Sequence, residues 1–182
     1  MRIVNNCKLF GEVTISVYDV KQGKFQRIFR HIQKNQITND GRAVVLDMLG
    51  GGPLTWGGGT PYQIHPEWNW IWSFEVGTGN TPPTLADTTL GNYIWRSAFN
   101  LDIERPVYKD PQWALEISKT VPSGELTGSI ITEAGIFTRG DNDDPVLAAQ
   151  RRMYSRIVHT PVTKSITMAL VYDWRLGITI EI

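Results

Sequence analysis

From Glu12 to Val20 the chain reads EVTISVYDV, with Val13, Ile15 and Val17 alternating against Thr14, Ser16 and Tyr18. A period of two is the mark of a strand that turns one face to a core and the other to water. KQGK, from Lys21 to Lys24, turns the chain around Gly23, and KFQRIFRHIQK supplies a returning arm. That arm has two readings, because Phe25, Ile28, Phe29 and Ile32 fit a helical stripe as well as a strand. The next segment, NQITNDGRAVVLDMLGGG, predicts a short helix over 41–49. Asn39 or Asp40 would accept hydrogen bonds from its first free amides, and the glycines at 50–52 would end it. Val44, Val45, Met48 and Leu49 would form its apolar stripe, so that it lies as a lid on a sheet.

The stretch PLTWGGGTPYQIHP, at 53–66, predicts an extended surface loop. Further strands are predicted at 68–76, 93–103, 113–121, 128–138, 153–159 and 165–182, with breaks at proline and glycine clusters. In the last of these, Ile166, Met168, Leu170, Tyr172 and Trp174 share one side and Gly177 marks a bend. Many short strands, one helix and no strand–helix alternation predict an all-β fold: an antiparallel β-sandwich, jelly-roll-like, with one short α-helix. A length of 182 residues suits a single domain, 1–182, with short N- and C-terminal arms.

Charge and cysteine content narrow the partners. Lysine plus arginine and aspartate plus glutamate both number 18, so the formal net charge is zero. No global field then draws the chain to nucleic acid. Cys7 is the single cysteine, which excludes an intrachain disulfide and a multi-cysteine zinc cage. No run is long enough to span a bilayer, and the first ten residues lack the apolar segment of a signal peptide. The chain is expected to be made in the cytosol and to stay soluble, with no membrane partner.

The stretch FEVGTGNTPPTLADTTLG, at 74–91, is where chemistry is sought first, since it comes after a strand as a phosphate loop would. It lacks the lysine and hydroxyl residue of a P-loop, Pro82 and Pro83 remove two backbone donors, and no GxGxxG opens a helix. The better reading is a rigid crossing between strands. Gly77 and Gly79 permit positive φ, Pro82 and Pro83 stiffen the chain beyond them, and Thr78, Thr81, Thr84, Thr88 and Thr89 can satisfy main-chain groups locally. His31, His65 and His159 stand apart without ligand spacing, and GDNDD at 140–144 lacks the far glutamate of a calcium loop. No serine sits in a nucleophile elbow. Scattered acids such as Glu67, Glu75, Asp102 and Glu133 would make a glycosidase pair only if the fold brought two together. No catalytic residue, metal ligand or cofactor is assigned.

Trp68, Trp70 and Trp72, at spacing two, point to one face of a strand. With Trp56 they form an aromatic patch read as a core or subunit interface, with a sugar-stacking platform as the alternative. In ITEAGIFT the same spacing sets Ile131, Glu133, Gly135 and Phe137 on one face. A carboxylate there must be paired or solvated, because an unpaired buried charge costs too much. Glu133 is expected to pair with Arg96 or Arg156; the alternative is an exposed Glu133 at a strand bulge.

Taken as a set, NQITNDGRAVVLDML, VGTGNTPPTLADTTLG with Arg96 downstream, ITEAGIFT and MYSRIVHTPVTKS resemble a family of tailed-bacteriophage virion proteins. The resemblance runs from Asn35 to about Ile178 and rests on Gly77, Gly79, Pro82, Asp87, Arg96, Glu133, Gly135, Phe137, Arg156, Pro161 and Lys164. It implies a non-enzymatic β-sandwich component of a virion tail, neck, collar or baseplate, or a tail fibre attachment, made in the host cytoplasm. The implied partners are other copies of the chain and other virion proteins, joined by aromatic contacts and by strand addition at MRIVNNCKLF and GITIEI. The alternative is a receptor-binding module whose loops around Trp56 and Trp68 recognise a host surface glycan. The tryptophan-rich loop and GDNDDP are longer than the shared pattern requires, and insertions of that kind fall on surface loops.

Overall fold

The computed structural model describes residues 6–21, 24–50, 71–99, 107–109, 114–138 and 151–181. In chain order the elements are β1 (Asn6–Lys21), β2 (Lys24–Lys34), β3 (Gln36–Ile37), α1 (Asn39–Gly50), β4 (Ile71–Gly77), β5 (Tyr93–Ala98), β6 (Val107–Lys109), β7 (Ala114–Val121), β8 (Ile130–Thr138), β9 (Met153–Thr163) and β10 (Met168–Glu181). They build two five-stranded antiparallel sheets, one ordered β2-β1-β10-β7-β6 and the other β3-β9-β8-β4-β5. The fold is the all-β sandwich that the alternating pattern predicts. The pairing of β1 with β10, and of β3 with β9, nests early strands against late ones in the manner of a jelly roll.

Alternation decides what fills the space between the sheets. Val13, Ile15 and Val17 of β1 and Leu170, Tyr172, Trp174 and Leu176 of β10 enter one core with Phe74, Val76, Ala134, Ile136 and Ile157 from the facing sheet. Phe74 crosses to the Tyr172 and Trp174 rings at centroid distances of 5.0 and 5.4 Å. Such ring pairs add about 0.5–1.5 kcal/mol each beyond the area they bury. Ile166, expected on the same side as Leu170, instead lies in the turn before β10 and is exposed, because the strand begins only at Met168. The β1–β10 ladder runs through Gly177 to Glu181 without a register shift, so the expected bend there does not interrupt pairing.

The returning arm is a strand, β2, and it is the outer edge of its sheet. Among the described residues its helical stripe has no face to bury against, whereas pairing with β1 satisfies its backbone over Lys24 to Lys34. The helix begins near the expected position but with a different cap. The Thr38 hydroxyl accepts from the Gly41 amide at 3.0 Å, and the Thr38 carbonyl accepts from Arg42 at 3.0 Å. Thr38 wins over Asn39 and Asp40 because its hydroxyl also donates to the Met153 carbonyl, which fixes the helix start on β9. Gly41 is required by closeness: a Cβ there would stand 2.1 Å from the Tyr154 carbonyl oxygen. Val44 is fully buried and Val45 packs on the core, whereas the side chains of Met48 and Leu49 lie outside the described set.

Asn6 to Phe10 pair with Glu181 to Gly177 as a ribbon that continues β1 and β10.

Candidate functional site

Residues 78–92 link β4 to β5 across the outer face of the second sheet. On that face the β8 side chains point away from the core. Ala134 and Ile136 enter the central cluster, whereas Phe137 packs with Leu90 of the crossing and Met153 of β9 in a cluster of its own. Ile131 joins the central core despite standing two residues from Glu133. A register shift against β9 between Ile131 and Glu133 changes the phase of the strand. The expected single face for Ile131, Glu133, Gly135 and Phe137 therefore splits at that irregularity.

Glu133 is fully buried, and its carboxylate is the hub of the crossing. Oε1 accepts from the amides of Gly79 and Asn92, both at 2.8 Å. Oε2 accepts from the Gly91 amide at 3.0 Å and from Arg156 Nε and Nη2 at 3.0 and 2.7 Å. The backbone amides thus form an anion-binding concavity of the kind that holds phosphates, and the anion is a side chain of the same protein. The neighbouring Thr132 hydroxyl donates to the Gly79 carbonyl at 2.8 Å, so the loop is held through both of its polar groups at one residue.

Gly77 and Gly79 are glycines for lack of room, not for backbone freedom. Neither has the positive φ expected of them; among the described residues the left-handed glycines are Gly124 and Gly128. A Cβ on Gly79 would lie 2.4 Å from Glu133 Oε1, and one on Gly77 would meet the Asn92 carbonyl oxygen first and Glu133 Oε1 at 2.5 Å. Neither approach is compatible with a side chain, so the carboxylate and Gly79 require each other, while Gly77 is fixed by the backbone as well.

Arg156 carries the network outward. Its Nη1 lies 2.7 Å from Asp87 Oδ2, and Asp87 in turn accepts from the Thr84 amide at 3.0 Å and hydroxyl at 2.7 Å. The Leu85 carbonyl accepts from the Asn39 amide at 2.8 Å, which ties the crossing to the start of α1. Pro82 stands exposed at the rim of this loop. Burial, the largest single influence, would raise the Glu133 pKa. The Asn92 and Gly91 amides, Arg156 and the Gly79 amide together outweigh it and hold the carboxyl below its ordinary value. Asp87 is likewise depressed, with Thr84 and Arg156 overcoming burial, and Arg156 is raised by its two carboxylates against burial.

A second buried carboxylate, Glu75, lies on the same outer face, where β4 and β8 pair Glu75 with Gly135 and Gly77 with Glu133. It accepts from Arg96 Nε and Arg151 Nη2. Arg151 lies over the Phe137 ring at 3.9 Å, and Arg96 over Tyr93 at 5.5 Å. The expected choice for Glu133 is thereby decided in favour of Arg156, with Arg96 serving Glu75, and the exposed alternative is overturned. The two buried carboxylates share no arginine: Glu75 is met by Arg96 and Arg151, and Glu133 by Arg156. Glu133 accepts five N–H groups, which leaves it poorly suited to abstract a proton from a substrate.

Other singled-out residues sit elsewhere. Lys164 is buried, and its ammonium donates to the carbonyls of Pro122, at 2.8 Å, and Met168. Burial pushes its pKa down. Pro161 lies on the exposed part of β9, and Trp72 on β4 is half-buried, its carbonyl accepting from Phe99 at 2.8 Å. Trp56, Trp68, Trp70, His65, Glu67, Asp102 and the 140–144 segment lie outside the described residues. His159 is buried, with Nε2 3.0 Å from the Tyr172 hydroxyl and Nδ1 2.8 Å from the Thr160 carbonyl.

Sequence reasoning missed Gly91, Asn92 and Arg151, and it read Thr84 as satisfying main-chain groups rather than meeting Asp87. Thr84 carried a signal, since TLAD sets a hydroxyl three residues before a carboxylate, the spacing of a local side-chain turn. Arg151 carried none, because its contact with Glu75 spans 76 positions of sequence. No family model matches the chain, and neither the curated proteins nor the solved structures contain a match.

Proposed function

We propose that the chain is a non-enzymatic structural component of a tailed-phage virion, in the tail, neck, collar or baseplate or at a fibre attachment, working with copies of itself and other virion proteins. The observation that carries this reading is the Glu133 carboxylate inside the GTGNTPP crossing. The segment that most resembles a ligand loop is filled by the protein's own side chain, a use that favours rigidity over turnover. The motif set from Asn35 onward supplies the virion context. The ribbon of Asn6–Phe10 with Gly177–Glu181 is the natural place for contacts between subunits, since a two-stranded ribbon is marginal until something packs on it.

Two measurements test the reading. A cryo-EM map of the particle that carries the chain is expected to show it repeated in a ring or fibre, with the terminal ribbon at a subunit contact. Release of reducing sugar from cell-wall or capsular polysaccharide by the purified chain would overturn it.

A further inference from the structure

We propose that the outer edge of β2 accepts an extended, acidic segment of another protein as an added strand, anchored by one apolar side chain beside Ile28 and Phe29. This rests on β2 alone and is independent of the virion assignment. Among the described residues β2 pairs only with β1, so its other row of N–H and C=O groups faces outward. Phe25 and Ile28 are 66 and 50% exposed, and Phe29 and Ile32 are 41 and 46% exposed. A long edge strand with apolar side chains is a template for strand addition unless something opposes it.

What opposes self-addition here is charge. Lys24, Arg27, Arg30 and Lys34 lie along β2 with no acidic residue among them, and all four are exposed. A second β2 laid against the first would bring these cations together, whereas an acidic strand would neutralise them. The chain as a whole is neutral, so this basic strip is a local feature.

Beside the strip is a notch of about 250 Å³ lined by Ile28 and Phe29, Val17 and Met168 on its floor, and Pro161 and Val162 opposite. A bulge makes it: Phe29 pairs with Val17 and Arg27 with Tyr18, which leaves Ile28 as the extra residue and lets both Ile28 and Phe29 line the notch. The opposite wall is a poor ladder partner, since Pro161 has no N–H and the Thr160 carbonyl already meets His159 Nδ1. Main-chain pairing therefore goes to β2 and the side chain goes to the notch. A polynucleotide fits less well. Phe25 packs edge-on to Tyr18 and Phe29 is stacked on His31, each at 6.3 Å, and bases would leave the open ladder unpaired.

The test uses the intact chain and three eleven-residue probe peptides: glutamate alternating with valine around a central leucine, the same with lysine for glutamate, and the first with prolines at alternate positions. Anisotropy should show the glutamate peptide binding about tenfold or more tighter than the other two. Amide exchange should slow along Lys24–Lys34. The double variant Arg27→Glu/Arg30→Glu, at exposed positions, should invert the preference between the glutamate and lysine peptides, and Ile28→Asp should weaken both. Absence of binding, binding without protection of β2, indifference to the charge reversal, self-association through β2, or tighter binding of a single-stranded oligonucleotide would each overturn the proposal.

Discussion

Arg156 and Glu133, 23 positions apart in sequence, meet through two nitrogens on one carboxylate oxygen, at 3.0 and 2.7 Å, with both side chains buried. The third nitrogen of the same guanidinium reaches Asp87 at 2.7 Å. One planar fork thus joins β8, β9 and the 78–92 crossing, a geometry that a lysine ammonium cannot reproduce.

Glu133→Gln should destabilise the fold by about 3–5 kcal/mol, because it leaves the Arg156 charge buried with half of its compensation gone. The amide NH2 would also face backbone N–H groups that need an acceptor. Urea unfolding of the variant beside the parent chain measures this. An unchanged midpoint and slope would remove the role assigned to the carboxylate.

Gly79→Ala should cost about 1–3 kcal/mol as an overpacked contact, since the added carbon falls 2.4 Å from Glu133 Oε1. In the Glu133→Ala background the same change should cost clearly less, because the clash is gone. A double-mutant cycle reads the coupling; strict additivity would mean that Gly79 is constrained by something other than the carboxylate.

Asp87→Asn should act locally. It weakens the contacts to Arg156 and Thr84 at a partly exposed position, so the global loss should be no more than about 1–3 kcal/mol. Amide exchange should accelerate over 78–92 while the β1–β10 ladder keeps its protection. Uniform acceleration across both would contradict a local role.

Acid should destabilise the protein in two stages. Burial, with His31 nearby, holds the His159 pKa below its ordinary 6.5 despite the Thr160 carbonyl and Glu133. The unfolded chain then binds the proton more readily, and stability falls as pH drops below about 6.5 toward the folded value. Glu133 and Asp87 are also depressed, from 4.5 and 3.8, so their contribution is complete above those values and is lost as pH falls through the folded ones. Urea midpoints from pH 8 to pH 3 should show both stages, and His159→Gln should abolish the upper one. A parent profile as flat as the variant's between pH 7 and 5 would refute the assignment to His159.

Much of the fold was legible because it depends on near neighbours. The alternation of Val13, Ile15 and Val17 and the spacing of Leu170, Tyr172 and Trp174 each concern residues within one element, and KQGK joins two strands that are adjacent in sequence. The form of β2 was not legible, since Phe25, Ile28, Phe29 and Ile32 satisfy either period, and only the presence of β1 beside it decides for a strand. The helix cap moved to Thr38 for a similar reason: the Met153 carbonyl that engages its hydroxyl lies 115 positions away.

At the crossing, the sequence by itself determined that GTGNTPP is not a P-loop and that Glu133 needs a partner, both consequences of residue type and the cost of burying charge. Only the tertiary structure decided that the amides of Gly79, Gly91 and Asn92 close on Glu133, that Arg156 rather than Arg96 completes it, and that the glycines serve clearance instead of positive φ. Hydrogen bonds and clashes between residues more than twenty positions apart depend on how sheets and loops are stacked, and local periodicity carries no record of that stacking.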